Sequence, residues 1–325
     1  MAGGQERILR GRIKSVQSTK KITKAMELIA ASRIVKAQAR LAAARPYSER
    51  ITDVIRNLAA SGAGSSHPLL QPRDDIRTIG YLAITGDRGL AGGFSSGVIR
   101  QVERQMAHDK AHGINTKLFV VGKKGVNYFK YRGVTTEAGW IGFIDTPSYE
   151  NAKEIAAAIM PAFENGEVDA VDVVFNQFLS AGTQRLTTRR LLPIDTAAVA
   201  DAVSSDGPTA SYEFEPEPEQ ILGALLPRYV EARIFAALLD SSASFFAFQQ
   251  RAMKSASDNA DELVKTLSRI MNRALQDSIT TEIMEIVGGA EALRQGKKKD
   301  KDLLLDSTQS FDYFPDRTDA PAAQN

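Results

Sequence analysis

The 325-residue chain contains no cysteine, which excludes disulfide bridges, thiolate zinc sites and cysteine nucleophiles and favours a reducing compartment. No apolar run reaches the roughly 18 residues that a membrane-spanning helix needs. We therefore expect any association with a membrane to occur through partner proteins only. Residues 1–30 lack the apolar core of a secretory signal, and no transit peptide is evident.

Histidine is scarce as well, with only His67, His108 and His112. His108 and His112 stand four residues apart, but the glutamate of a metal-binding H-E-x-x-H helix is missing between them. Acidic pairs such as Glu282 and Glu285 are neighbours on one helix face. No Ser–His–Asp arrangement is found, so we expect no catalytic residue, no metal site and no cofactor.

Glycine and proline are rare in a long stretch near the start of the chain. Residues 5–58 contain one of each, Gly11 and Pro46, and their apolar or small residues recur at steps of three and four. This spacing predicts one long helix with an apolar seam. The seam positions are Ile13, Val16, Ile22, Met26, Ile29, Ala37, Leu41, Ala44, Tyr47, Ile51, Val54 and Leu58.

A second helical stretch runs from Pro218 to about residue 293, with no glycine between Gly223 and Gly288. We expect the two long helices to pair as an antiparallel coiled coil, because a compact segment separates them in the chain. The seam of the second helix is predicted at Leu263, Leu267, Ile270, Ala274, Ile279, Ile283 and Ile286.

The segment between the helices alternates strands and helices, which predicts a mostly parallel sheet with an antiparallel edge. Strands are predicted at 78–85, 117–121, 134–140, 168–179 and 184–192, and helices at 94–110, 124–131 and 149–164. The fold class is α/β, a long antiparallel coiled coil of terminal helices plus a Rossmann-like α/β domain. The domain prediction is an N-terminal shaft helix (1–60), an α/β foot domain (75–195), a C-terminal shaft helix (215–294) and a disordered tail (295–325).

A glycine-rich segment, residues 86–93, follows the first predicted strand and precedes a helix. Helix N-termini attract phosphate there, so a nucleotide-binding α/β protein with helical arms is one alternative. The spacing G-x-x-G-x-x-G-G matches neither the dinucleotide fingerprint nor a P-loop. A tight strand-to-helix turn is the favoured interpretation.

Positive charge is concentrated at the start of the chain. Residues 1–50 hold twelve Lys and Arg against three Glu, a net charge of +9, whereas the whole chain carries +2. A helix this basic is expected to bind an acidic protein surface or a nucleic acid, or else to present a charged face to solvent. A basic coiled-coil nucleic-acid binder is thus a second alternative, although few aromatic residues interleave with the basic ones.

Five separated blocks resemble the gamma subunit of F-type ATP synthases, in order and across about residues 5–294. The blocks lie at Arg12–Glu27 (R-I-K-S-V…T-K-K-I-T-K-A-M-E), Asp87–Phe94, Leu225–Val230, Arg251–Ala260 and Ile279–Ala290. The first and the last are highly specific.

The resemblance implies a central rotor stalk, a non-catalytic subunit of the proton-translocating ATP synthase. Such a stalk couples rotation of the membrane c-ring to conformational cycling of the catalytic beta subunits, so that a transmembrane ion gradient drives ATP synthesis. It implies the alpha and beta subunits, the epsilon subunit and the c-ring as partners, and no nucleic acid. The implied location is the cytoplasmic face of a bacterial plasma membrane, as a peripheral protein.

The resemblance also implies contact residues. Rotor–stator contacts are expected at Gln276, Thr280 and Glu282, with Met26 and Lys24 on the partner helix. Contacts of the foot with epsilon and the c-ring are expected at Tyr212, Glu213 and Glu215.

Three features depart from the family pattern. Leu275 stands where a basic residue is common, and Phe245–Phe248 are more apolar than usual, which predicts local packing against the α/β domain. The tail after residue 294 is additional.

Overall fold

The computed structural model describes residues 2–60, 67–73, 75–194 and 217–306. A short 3-10 turn, Pro68–Leu70, precedes the sheet. The helices are α1 (Ala2–Ala60), α2 (Phe94–Ala111), α3 (Lys123–Tyr131), α4 (Tyr149–Glu164) and α5 (Pro218–Asp306). The strands are β1 (Thr78–Ile84), β2 (Asn115–Val121), β3 (Ala138–Trp140), β4 (Ala170–Phe178) and β5 (Gln184–Leu192).

The chain forms two compact units. The first unit consists of residues 1–18 and 261–325, and the second of residues 19–260. The terminal helices α1 and α5 each contribute to both units, and the whole sheet belongs to the second.

The sheet of the second unit has the strand order β3-β2-β1-β4-β5. β1 pairs in parallel with β2 and β4, and β2 pairs in parallel with β3. β5 is antiparallel to β4 at the edge. This confirms the predicted parallel sheet with an antiparallel edge strand.

Both faces of the sheet are buried, because alternate residues of each strand point to opposite sides. On one face, Tyr81, Ala83 and Val120 pack with side chains of α2 and α3. On the other face, Leu82, Phe119 and Val173 share a core with α4 and with both terminal helices. The terminal helices contribute Ile51, Ile55, Leu58, Leu222, Leu226, Val230, Ile234 and Leu238 to that core.

Within the second unit, α1 and α5 run in opposite directions. The hydroxyls of Thr23 and Ser257 are hydrogen-bonded at 2.7 Å, whereas Arg33, further along α1, lies over the ring of Phe246, earlier in α5. Ala30 and Ala37 are buried on this side of α1, where small side chains let helices approach closely. The predicted antiparallel pairing is confirmed for this unit.

The predicted seam is wrong at Ile22 and Ile29, whose side chains are 61% and 53% exposed. Thr23 and Ala30, one residue later, take the positions that face α5. The helix carries two apolar stripes at the same heptad spacing, and periodicity alone does not distinguish which one is covered. Tyr47 and Val54 of the predicted α1 seam are likewise exposed. The predicted seam of α5 is also wrong at most of its positions, because the exposed residues include Leu263, Ile270, Ile279, Ile283 and Ile286.

α5 continues to Asp306, past the boundary at 294 that the sequence predicted for the shaft helix. Residues 295–306 contain one glycine, Gly296, and no proline, so the extension has only one residue of low helix propensity in its sequence. Residues 307–325, the rest of the predicted tail, lie outside the described part of the chain.

The structure explains why the stretch Phe245–Phe248 of α5 is more apolar than the family pattern. Both are buried in a cluster with Ile34 of α1 and Phe94 of α2. The rings of Phe94 and Phe245 meet edge to face, with their centroids 5.4 Å apart. This is the packing against the α/β domain that the composition predicts.

A buried threonine joins β1 to the start of α3. The Thr85 hydroxyl donates to the Val121 carbonyl at 2.7 Å and accepts from the Gly125 N–H at 2.9 Å. Gly122, between them in sequence, has φ +97°, and a Cβ there would lie 2.2 Å from the Thr85 carbonyl oxygen. Only glycine adopts a positive φ readily and also has no Cβ to collide with the Thr85 carbonyl.

We predict that Gly122→Ala destabilises the protein by about 3 kcal/mol, since backbone strain and overpacking add at this site. Gly97→Ala is the matched control, because a Cβ in α2 at Gly97 meets nothing within 4 Å in the described chain. There the helix should gain about 1 kcal/mol. Urea unfolding of the full-length variants measures both changes, and equal midpoints would contradict the account of this turn.

Candidate partner-binding surface

The first unit exposes an apolar stripe on α5. Ile279, Ile283 and Ile286, at spacings of four and three, are 52%, 54% and 71% exposed. Met284, Val287 and Leu293 are exposed beside them. Large exposed apolar patches mark protein interaction sites, because leaving this surface in water is unfavourable. We call the stripe Ile279, Ile283 and Ile286 the α5 apolar face.

Polar side chains flank the α5 apolar face. The Thr280 hydroxyl donates to the Gln276 carbonyl at 2.9 Å, and the Thr281 hydroxyl to the Asp277 carbonyl at 2.8 Å. The bond to the preceding turn leaves the Thr280 hydroxyl oxygen able to accept from a partner. Thr281 stands two residues from both Ile279 and Ile283 and therefore lies on a different side of the helix from the stripe. Glu282 accepts from the Ser278 hydroxyl at 3.3 Å.

The structure brings the three predicted contact residues of α5, Gln276, Thr280 and Glu282, within two turns of one helix, all exposed. Leu275, in place of the usual basic residue, is half-buried, whereas Arg273 is exposed. The guanidinium of Arg273 therefore remains available for a polar contact two residues earlier in the helix.

The second unit also exposes apolar side chains on α1. Ile22, Leu28, Ile29 and Val35 are each more than half exposed. The exposure of Ile22 and Ile29 was not predicted from the sequence, because their spacing placed them in the seam. One signal in the sequence was available: Thr23 and Ala30 follow Ile22 and Ile29 by one residue and repeat at the same spacing. The small side chain of Ala30 allows two helices to pack closely.

The two predicted contact residues of α1 differ in accessibility. Lys24 is exposed and its ammonium pairs with Glu27 at 3.0 Å, while Met26 is half-buried. Further along α1, Arg33 pairs with Asp145 at 3.7 Å and so contacts the α/β domain. Intramolecular partners therefore neutralise part of the positive charge of α1.

The predicted foot contacts Tyr212, Glu213 and Glu215 lie outside the described residues.

The glycine-rich loop is closed by its own side chains. The Asp87 carboxylate accepts from the N–H of Lys123 at 3.0 Å and from the N–H of Ile144 at 3.1 Å. At the start of α2, the helix that follows this loop, the Phe94 N–H donates to the Ala91 carbonyl at 3.2 Å and is therefore already paired. The negative charge of Asp87 within the loop further disfavours a bound anion. The geometry favours the interpretation of this segment as a turn over that of a phosphate loop.

Among the described residues, no group of three or more His, Asp or Glu side chains is arranged to hold a metal ion. In the same part of the chain, no helix combines the length and the apolarity required to cross a membrane.

Comparison with known proteins identifies relatives along nearly the whole chain. The family model described as ATP synthase matches residues 5–293. A protein named ATP synthase gamma chain from Frankia casuarinae is 52% identical over 297 residues, which cover 90% of this chain and 99% of that protein. A protein of the same name from Mycolicibacterium vanbaalenii is 45% identical, with 90% and 98% covered.

Solved structures show the same fold. A chain of the Euglena gracilis mitochondrial ATP synthase, in a structure of OSCP, F1 and c-ring, matches with a TM-score of 0.63 at 17% identity, covering 91% of this chain and 97% of that one. A chain of the Tetrahymena thermophila central stalk and c-ring matches with a TM-score of 0.56 at 24% identity, covering 73% and 99%. The identity and coverage of the relatives establish that this chain belongs to the ATP synthase gamma-chain family.

Proposed function

We propose that this chain is the central rotor stalk of an F-type ATP synthase, coupling rotation of a membrane c-ring to the conformational cycle of catalytic beta subunits. As a gamma chain it is a component of the ATP synthase complex. The observation that carries the mechanical part of the proposal is the α5 apolar face. Its three isoleucines are exposed in the chain by itself and need a partner to cover them.

The coupling follows from asymmetry. One shaft inside three catalytic subunits presents a different side to each of them, so each subunit holds a different conformation. Rotation changes which side each subunit meets and thereby its nucleotide affinity. This is a coupling free energy between distant sites, and binding energy that differs between states is its physical source.

The fold of the second unit suits the transmission of torque. α1 and α5 share one core with the sheet, so force applied to the α/β domain reaches both helices through packed side chains. Each of the two long helices contains a single internal proline, Pro46 in α1 and Pro227 in α5, so few positions along either helix favour a kink.

The proposed partners are the alpha and beta subunits around the terminal helices, and epsilon and the c-ring at the α/β domain. Gln276, Thr280 and Glu282, with Lys24 and Met26, are proposed to contact the stator, and Tyr212, Glu213 and Glu215 the foot partners. The complex is associated with a membrane. We propose that this chain is its peripheral, non-catalytic subunit at the cytoplasmic face of a bacterial plasma membrane.

The two alternatives carry less support. A nucleotide-binding loop is disfavoured because Asp87 places a carboxylate in the loop and the first N–H of α2, that of Phe94, already donates to the Ala91 carbonyl. A nucleic-acid surface on α1 is disfavoured because Lys24 and Arg33 pair with carboxylates of the same chain.

We predict that Thr280→Val lowers the ATPase rate of the reconstituted complex, because it removes a polar group from the stator contact. Loss of a hydrogen bond that contributes about 1 kcal/mol should lower the ATPase rate about fivefold. The matched control is Thr281→Val, which removes the same kind of bond to the preceding turn. Equal rates for the two variants would contradict the assignment of Thr280.

We predict that Ile286→Asp weakens assembly, because it places a charge on the α5 apolar face where a partner excludes water. Loss of about 2 kcal/mol would lower the affinity about thirtyfold. Thr281→Asp adds the same charge at a position outside the stripe and should have a smaller effect. The measurement is the concentration of chain needed for half-maximal ATPase on reconstitution, and identical values for both variants would refute the role of this face.

A further inference from the structure

A cleft of about 700 Å³ opens in the second unit, and the rotor mechanism does not use it. Its walls come from α1, α4, α5 and the β4–β5 edge of the sheet. The volume lies within the range of roughly 300–1,000 Å³ that is typical of small-molecule sites.

Four arginines line this cleft: Arg45 from α1, Arg189 from β5, and Arg228 and Arg233 from α5. In the part of the chain that the structure describes, none of the four forms an ion pair with a carboxylate. Two carboxylates, Glu49 and Asp240, also line the cleft. These two negative charges offset only part of the charge of the four arginines, so the lining carries an excess of positive charge.

Arg189 has the clearest need of an anion. Burial lowers the pKa of its guanidinium, and the nearby charge of Arg233 lowers it further, while Asp240 acts in the opposite direction. An arginine nevertheless stays protonated in a protein, so the charge cannot be removed by titration. The guanidinium carbon of Arg189 lies 5.6 Å from the centroid of the Phe175 ring, but among the described residues no carboxylate forms an ion pair with this charge. A partly buried charge without a counter-ion is unfavourable, and an anion in the cleft would stabilise it.

One wall of the cleft is aromatic. The rings of Tyr149 and Phe235 lie edge to face, with centroids 5.7 Å apart, and Tyr47 meets Tyr149 at 6.4 Å. The Tyr149 hydroxyl donates to Glu231 at 2.7 Å, so its polar end is occupied. The remaining ring surface offers an apolar wall beside the guanidinium groups.

We propose that this cleft binds a small organic phosphate. Arg189 and Arg233 hold its phosphate group, and the flat apolar part of the ligand lies against Tyr149 and Phe235. Guanidinium groups bind phosphate oxygens through forked pairs of charged hydrogen bonds, which supplies the affinity for the anion. The aromatic wall distinguishes such a ligand from free inorganic phosphate. A nucleoside diphosphate has both parts.

Asp240 makes the site sensitive to pH. Its carboxylate accepts from the Phe178 N–H at 3.3 Å, and burial raises its pKa to about 6 against the opposing charges of Arg189 and Arg45. The other charged or titratable groups lining the cleft are Tyr47, Glu49, Tyr149, Arg228 and Arg233. Below pH 6 the carboxyl is neutral, the cleft is more positive and the anion binds more tightly.

Calorimetric titration of the full-length chain with ADP, adenosine and inorganic phosphate tests the proposal. ADP should bind, and both adenosine and inorganic phosphate should bind more weakly. Arg189→Gln and Arg233→Gln should each weaken ADP binding about tenfold, the value of a charged hydrogen bond. Arg104→Gln, which removes an exposed charge on α2, is the matched control and should leave the affinity unchanged.

Three results would overturn the proposal. They are no ADP binding at millimolar concentration, adenosine binding as tightly as ADP, and equal affinities for the Arg189, Arg233 and Arg104 variants. Circular dichroism melting of each variant checks that a loss of binding is not a loss of folding.

The pH dependence is tested with Asp240→Asn, whose side-chain oxygen can still accept from the Phe178 N–H. The variant should bind ADP several-fold more tightly than the wild type at pH 8, where Asp240 is ionised, and equally at pH 5. Because ADP itself titrates in this range, the quantity to compare is the ratio of the affinity of the Asp240→Asn variant to that of the wild type at each pH. A ratio that does not change with pH would refute the role of Asp240.

Discussion

Covering one face of the sheet is the constraint on which the second unit depends. α2 and α3 cover one side, but the other side is buried only when Ile55 and Leu58 of α1 and Leu226 and Ile234 of α5 pack on it together with α4. A parallel sheet is stable only with both faces covered. The parts of α1 and α5 that lie in the second unit are therefore required to fold the α/β domain, and the domain in turn orients these two parts against each other.

The same helices leave apolar side chains without a partner. Ile22, Leu28, Ile29 and Val35 of α1 are exposed in the second unit, and the α5 apolar face is exposed in the first. A chain that buries its core well yet exposes isoleucines at helical spacing is adapted to bind something that covers them. For a gamma chain, the catalytic hexamer is the proposed cover, so the residues that matter for function are those that the fold of the chain does not use.

Local signals account for what the sequence predicts well. α4 begins at Tyr149 as predicted because Ser148 and Asn151 form a capping box, with the Asn151 side chain accepting from the Ser148 N–H at 2.9 Å. Tertiary contacts account for the failures. Which stripe of α1 faces α5 depends on the close approach at Ala30, and the cleft joins Arg45, Arg189 and Arg233, which only the fold brings together.

Single-molecule rotation tests the central claim most directly. Because the chain contains no cysteine, Tyr131→Cys, at an 88% exposed position in α3, gives one attachment point in this subunit for a bead. The catalytic hexamer is fixed to a surface and supplied with ATP. Stepwise rotation of the bead in one direction is the predicted result. A stationary bead on a hexamer that hydrolyses ATP would contradict the assignment of the chain as a rotor.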